Sequence, residues 1–206
     1  METFVYEIFS KMKWMQRVLD IWGFIGESAL YLSQYNKEIY CYELSQKNFA
    51  YLQKNCANKG NIYIFNVGVT IGHDEYIEYN EDTDVESTTK IQSSSSKNSI
   101  LVKNINILDL IKSKSFDGFK LDIEWWEYDI IQVLLDNNKF IFRKWIIEFH
   151  DLDTGVNLSC MKNFIEYLSQ HWYTYSLLTN ENKKIMIENL HTFKYCNIFF
   201  ELADQE

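Results

Sequence analysis

The chain of 206 residues is 47% hydrophobic and 24% charged, as in an ordinary soluble globular protein, and its length suits a single domain over residues 1–206. A formal net charge of −9 with no Lys/Arg-rich stretch excludes a typical nucleic-acid-binding surface. No apolar run approaches the roughly 20 residues that span a bilayer, and the N-terminus lacks the apolar core of a signal peptide. We therefore expect a cytoplasmic protein with a small-molecule partner and no membrane or nucleic-acid partner. Nothing in the sequence indicates an oligomeric state.

The numbers and positions of cysteine, glycine and proline give further information about the class of protein. The cysteines lie far apart without a CxxC pair, which favours reduced thiols over a disulfide framework or a zinc site. They are Cys41, Cys56, Cys160 and Cys196. The chain has no proline and only seven glycines, where ordinary usage predicts about 14.

Strand-like and helix-like segments alternate along the first seventy residues, which is typical of parallel βαβ units. The predicted elements are a strand at Arg17–Ile21, a helix from Glu27 to Gln34, a strand at Glu38–Leu44, a helix capped by Ser45 and running to Cys56, and a strand at Asn61–Val69. This succession is the half-unit of a doubly wound sheet.

The alternation of strands and helices stops at residues 72–99, which predicts an insertion there. Alternation over Tyr76–Tyr79 indicates strand pairing, and the serine-rich run at 93–96 indicates a polar loop. The rhythm then resumes with a strand at Ile100–Ile105, a helix at Ile107–Lys112, a strand at Phe116–Ile123, a helix at Glu127–Leu135, a strand at Trp145–Phe149, a helix at Cys160–Ser169, and strands at Tyr173–Leu178 and Lys194–Leu202. The whole pattern predicts one α/β domain with a mostly parallel, doubly wound sheet.

The segment VLDIWGFIGES at Val18–Ser28 predicts a strand that runs into a nucleotide-binding turn and then into a helix. Gly23 and Gly26 suit such a turn, but Trp22 stands where its first glycine is expected. Glu43 ends the next strand, where Rossmann-like sites place the carboxylate that binds ribose hydroxyls. A cofactor site at this turn is the resulting prediction.

The later strands also end in ionisable residues. Asp122 and Glu124 follow one buried strand, and Glu148 and His150 close the next. The carboxyl ends of parallel strands meet at one edge of the sheet, so Asp122, Glu124 and His150 are candidates for a general base. No HxH or HExxH spacing is present, and we predict no metal site.

Four motifs in order, DIWGFIGES, YELSQKNFAYLQKN, FKLDIEWWEYDII and IIEFH, resemble the FkbM family of class I S-adenosylmethionine-dependent methyltransferases. The family's first motif is similar to D-x-G-A-N-x-G and its later signature to K-x-D-x-E-G-x-E. The resemblance implies a Rossmann-like class I methyltransferase fold with an antiparallel last strand, S-adenosyl-L-methionine as cofactor, and O-methylation of a sugar or other small metabolite. The residues that it places at the cofactor are Asp20, Trp22, Gly23, Gly26, Glu43 and Asp122.

Several departures from the family pattern share one residue type. Trp22 and Trp125 replace family glycines, and Trp172 falls where the family often has glycine. We hypothesise that some of these tryptophans are encoded by UGA codons, which are written as tryptophan but read as glycine in the source. Two alternatives stay open: engineering, or decay to a non-catalytic Rossmann-like binding domain whose turn is blocked by Trp22. An NAD-dependent oxidoreductase would share the turn, but the KLDIE signature argues against it.

Overall fold

A computed structural model describes residues 8–80, 99–123, 126–139, 141–152, 155–178 and 183–203. The strands are β1 (Arg17–Ile21), β2 (Glu38–Tyr42), β3 (Ile62–Phe65), β4 (Gly68–Thr70), β5 (Tyr76–Asn80), β6 (Ser99–Asn106), β7 (Gly118–Leu121), β8 (Lys144–Phe149), β9 (Tyr173–Leu178) and β10 (Cys196–Leu202). The helices are α1 (Glu27–Leu32), α2 (Gln46–Cys56), α3 (Ile107–Ser113), α4 (Glu127–Asp136) and α5 (Gly155–Gln170), with a 3-10 helix at Ile187–Thr192. The predicted serine-rich loop, Glu124 and Trp125 lie outside the described residues.

Seven strands form the main sheet in the order β3-β2-β1-β7-β8-β10-β9. β1 pairs in parallel with β2 on one side and with β7 on the other. The chain thus winds outward from β1 through β2 and β3 and later returns to the opposite side of β1. Such a reversal opens a crevice beyond the carboxyl ends of the strands, where ligands of α/β sheets bind.

β10 runs antiparallel to both of its neighbours, β8 and β9, which confirms the predicted antiparallel last strand. The main sheet is buried on both faces because consecutive residues of its strands enter different cores. Val18 and Leu19, for example, belong to separate buried clusters. The continuous apolar runs that predicted these strands follow from that double burial.

Several other predictions concern individual helices and strands. The side chain of Ser45 caps α2, accepting the Asn48 N–H at 3.1 Å, and all four cysteines are free. β5 pairs antiparallel with β6, as the alternation at residues 76–79 predicted. α5 begins at Gly155, five residues before the predicted start. Within the described part of the chain, no helix combines the length and hydropathy needed to cross a membrane.

The predicted strand at residues 61–69 is wrong as a single element. β3 belongs to the main sheet, whereas β4 belongs to a three-stranded sheet of order β4-β6-β5. Asn66 separates the two strands, and its side-chain amide donates to the main-chain oxygens of Glu43 (2.9 Å) and Leu44 (3.0 Å). Asn66 therefore anchors this break to the segment that follows β2, beside the predicted site.

Candidate functional site

The turn after β1 is held by main-chain hydrogen bonds to β2. The N–H groups of Trp22 and Gly23 both donate to the Tyr42 oxygen at 2.9 Å. A Cβ on Gly23 would lie 2.0 Å from Cys41 Sγ, and Gly26 has a φ of +97°, a conformation that side chains disfavour. Position 23 favours glycine because Cys41 lies too close for a Cβ, and position 26 favours glycine because of its backbone conformation.

Asp20 lies fully buried beneath this turn and connects β1 to α1. Its Oδ2 accepts a hydrogen bond from Ser28 Oγ at 2.7 Å, and its Oδ1 lies 3.3 Å from Lys120 Nζ. Asp20 was predicted as a cofactor residue from its place in the motif. In the structure, both oxygens of its carboxylate contact protein side chains around the turn, those of Ser28 and Lys120.

Lys120 links the two halves of the site. Its Nζ donates to the Trp22 oxygen at 2.8 Å and lies 3.5 Å from Asp122 Oδ2, in addition to its contact with Asp20. Burial opposes the charge of Lys120, but the carboxylates of Asp20 and Asp122 outweigh this effect and raise its pKa. Sequence reasoning gave Lys120 no role. Its place two residues before Asp122, on the same face of a strand, was the available signal.

Glu43 is fully buried at the end of β2, and both of its carboxylate oxygens have main-chain partners. Oε2 accepts the Phe24 N–H and Oε1 accepts the Ser45 N–H, each at 2.8 Å. Burial raises the pKa of Glu43 to about 8, although these two hydrogen bonds oppose the shift. The predicted ribose-binding carboxylate therefore braces the turn in the chain as written.

Trp22 has a φ of +69°, and Phe24, two residues later, has a φ of +50°. The indole of Trp22 is partly buried and packs against the cluster formed by Leu44, Tyr79 and Val102. Leu44 follows β2, so the indole occupies space beyond the carboxyl end of that strand. This is the space in which the sequence predicted a ligand.

A second group of polar side chains lies at the ends of the adjacent strands β7 and β8. Asp122, Glu148 and His150 each offer one ligand atom, and these three atoms lie within 4.8 Å of one another. With the His150 ring unprotonated, this geometry could hold a divalent cation, which no sequence motif indicated. The structure thus brings together Asp122 and His150 as predicted, whereas Glu124 lies outside the described residues.

His150 is oriented by Glu127, which is fully buried at the start of α4. Glu127 Oε1 accepts the His150 main-chain N–H at 2.8 Å and lies 3.1 Å from His150 Nδ1. Burial disfavours the imidazolium, but the hydrogen bond that its Nδ1–H donates to Glu127, together with the charge of Glu127, outweighs this effect and raises the pKa of His150 to about 9. The ring is therefore protonated at neutral pH.

Comparison with known proteins supports the fold. No family model matches the chain, and no curated protein matches its sequence. Among solved structures, an FkbM methyltransferase from Methylobacillus flagellatus KT has 16% identity and a TM-score of 0.54 over 90% of this chain and 43% of that chain. An rRNA methylase from Streptococcus thermophilus has 10% identity and a TM-score of 0.55, covering 97% of this chain and 94% of the other.

The O-methyltransferase TomG from Streptomyces achromogenes, involved in Tomaymycin synthesis and solved in complex with SAM, also matches. It has 10% identity and a TM-score of 0.54, with coverage of 97% of this chain and 79% of that one. At these identities the likeness shows the fold alone. The chain has the Rossmann-like fold of class I methyltransferases, and it spans less than half of the FkbM structure.

Proposed function

We propose that the natural protein is an S-adenosylmethionine-dependent methyltransferase that methylates a hydroxyl oxygen of a small molecule such as a sugar. The observation that carries this proposal is the glycine turn after β1. It lies where the winding of the sheet reverses, in a fold shared with methyltransferases, one of them solved with the same cofactor. When bound, the cofactor supplies an electrophilic methyl group.

The main chain of the turn fits such a cofactor better than the side chains do. Gly23 and Gly26 keep the turn tight and bare, and Glu43 lies at the end of β2. The indole of Trp22 does not fit, because it fills the space beyond β2. Glu43 is also engaged by the Phe24 N–H. We therefore propose Asp20, Gly23, Gly26 and Glu43 as cofactor residues only for a turn that carries glycine at position 22.

Asp122 is our preferred general base for an acceptor hydroxyl. Its side chain is one third exposed at the end of β7, so an acceptor can reach it. His150 is less suitable, because its pKa of about 9 keeps its ring protonated at neutral pH. A protonated His150 can instead donate a hydrogen bond to the acceptor. Lys120 Nζ lies 3.5 Å from Asp122 Oδ2, so the carboxylate has a cationic neighbour.

A small acceptor agrees with the charge of the chain. The net charge of −9 opposes the phosphate backbone, and this argues against an RNA acceptor even though an rRNA methylase shares the fold.

The chain as written supports a second candidate, a non-catalytic Rossmann-like domain. Its supporting observation is the packing of Trp22 on Leu44, Tyr79 and Val102, beside the turn that would hold the ligand.

Isothermal titration calorimetry with S-adenosylmethionine and with NAD separates these candidates. We expect the double variant Trp22→Gly, Trp125→Gly to bind S-adenosylmethionine and not NAD, and the chain as written to bind neither. A matched variant with alanine at both positions removes the indoles but keeps the backbone strain at position 22, and we expect it to bind more weakly. No binding of S-adenosylmethionine by the glycine variant would refute the proposed function, and binding of NAD would favour an oxidoreductase.

A further inference from the structure

We propose that the natural protein has glycine at positions 14, 22 and 172, encoded by UGA codons that are read as glycine. The backbone carries this inference. Trp14, Trp22 and Trp172 have φ values of +68°, +69° and +69°, in the left-handed region. A bulky side chain is a genuine outlier there, whereas glycine adopts this region freely.

The three tryptophans share this conformation although they lie in different parts of the fold. Trp14 precedes β1, Trp22 follows it, and Trp172 lies between α5 and β9. Trp172 comes two residues after the last residue of α5, where helices most commonly place a left-handed glycine. Glycine is therefore the favoured residue in three different local structures.

The side chains at two of these positions contribute little packing. Trp14 is 79% exposed and Trp172 is 68% exposed, although an indole normally stabilises a protein through burial. Their main chains, in contrast, are engaged: the Trp14 N–H donates to the Tyr35 oxygen at 3.2 Å, and the Trp172 oxygen accepts the Ala203 N–H at 2.8 Å. The fold uses the backbone at these positions and not the indole.

Two other tryptophans behave as true tryptophans. Trp145 is fully buried in β8, and its indole N–H donates to the Phe142 oxygen at 3.1 Å. Trp126 has an ordinary φ of −106°. Backbone conformation therefore divides the described tryptophans, and we expect UGG codons at positions 126 and 145.

The consequence for the cofactor turn rests on the proposed function, but the residue assignment does not. Glycine at position 22 removes the indole from the space beyond β2 and relieves the backbone of the turn. The main-chain contacts of residue 22, to the Tyr42 oxygen and from Lys120 Nζ, need no side chain and are kept.

The test compares glycine with alanine at four positions by thermal unfolding of the full chain. We expect each glycine variant at 14, 22 and 172 to unfold above its alanine partner, by roughly 2–4 °C, because alanine keeps the Cβ that the left-handed region disfavours. At position 126 the order should reverse, since an ordinary φ favours alanine. Alanine equal to or above glycine at the three positions would overturn the inference.

The codons supply an independent test. UGA at positions 14, 22 and 172 with UGG at 126 and 145 supports the inference, and UGG at the first three overturns it. Peptide masses of the protein from its natural source distinguish glycine from tryptophan directly. These readouts need no cofactor, so glycine at position 22 without S-adenosylmethionine binding would leave the residue assignment intact and refute the proposed function.

Discussion

Replacing Lys120 with methionine removes the buried cation that links the cofactor turn to the second group of polar side chains. Lys120 is 5% exposed, and it neutralises Asp20, which has no exposure at all. Breaking one partner from a buried ion pair costs about 3–5 kcal/mol, because the other charge stays buried without compensation. Against a total stability of about 5–15 kcal/mol for a domain, this loss is large. We therefore expect Lys120→Met to lower the melting temperature by roughly 6–20 °C.

Urea unfolding followed by circular dichroism measures the loss in the free energy of unfolding, and a thermal scan measures the melting temperature. Lys112→Met is the matched control, because Lys112 is 61% exposed and lies 3.6 Å from Asp109 in a surface pair, where an effect below about 1 kcal/mol is expected. Adding Asp20→Asn to Lys120→Met should restore part of the stability by removing the unpaired charge. A loss below about 1 kcal/mol for Lys120→Met, or no recovery in the double variant, would refute the reasoning.

Three further changes test the geometry of the site. Glu127→Gln should lower the pKa of His150 from about 9 towards 6.5, and NMR titration of the ring measures this pKa. In the unchanged protein, protonated His150 stabilises the native chain below pH 6.5, and this contribution is lost as the pH rises through about 9. An unchanged titration midpoint in the variant would contradict the pairing of His150 with Glu127. Gly23→Ala should cost about 1–3 kcal/mol in urea unfolding, because its Cβ meets Cys41 Sγ at 2.0 Å, and an unaltered midpoint would show that the turn has room. Ser28→Ala should cost about 1–3 kcal/mol, since it leaves a buried carboxylate oxygen without its hydroxyl donor, and a neutral effect would argue against that bond.

The layers of the fold were predictable from the sequence because they depend on local patterns. Short, mainly apolar segments marked β1, β7 and β8, since most residues of these strands are buried on both faces. The break between β3 and β4 was not predictable, because it depends on the Asn66 amide reaching oxygens more than 20 residues away. Apolar periodicity carries no information about such a side-chain to main-chain bond.

The site could be predicted only in part, because contacts between separate elements leave no local pattern in the sequence. The motif located Asp20, Gly23 and Gly26, because the tight turn dictates residue types at fixed spacing. It could not reveal that Glu43 turns both oxygens to main-chain N–H groups, or that Glu127 holds His150. These contacts join residues from separate elements, and only the folded chain brings them together.

The distribution of backbone strain argues against decay as the origin of the tryptophans. A protein released from selection accumulates unfavourable substitutions throughout its core as well as in its turns. Here the buried core is well packed around Trp145, whose ring lies 4.7 Å from Phe142 and 5.3 Å from Phe119 in edge-on contacts. Of the six described non-glycine residues with positive φ, Asn138 and Asp151 belong to types that tolerate it. Apart from Phe24, the remaining conflicts are the three tryptophans at glycine-like positions. Three of the four described bulky residues with positive φ are thus tryptophans, which the proposed reading of UGA as glycine explains and a loss of function does not.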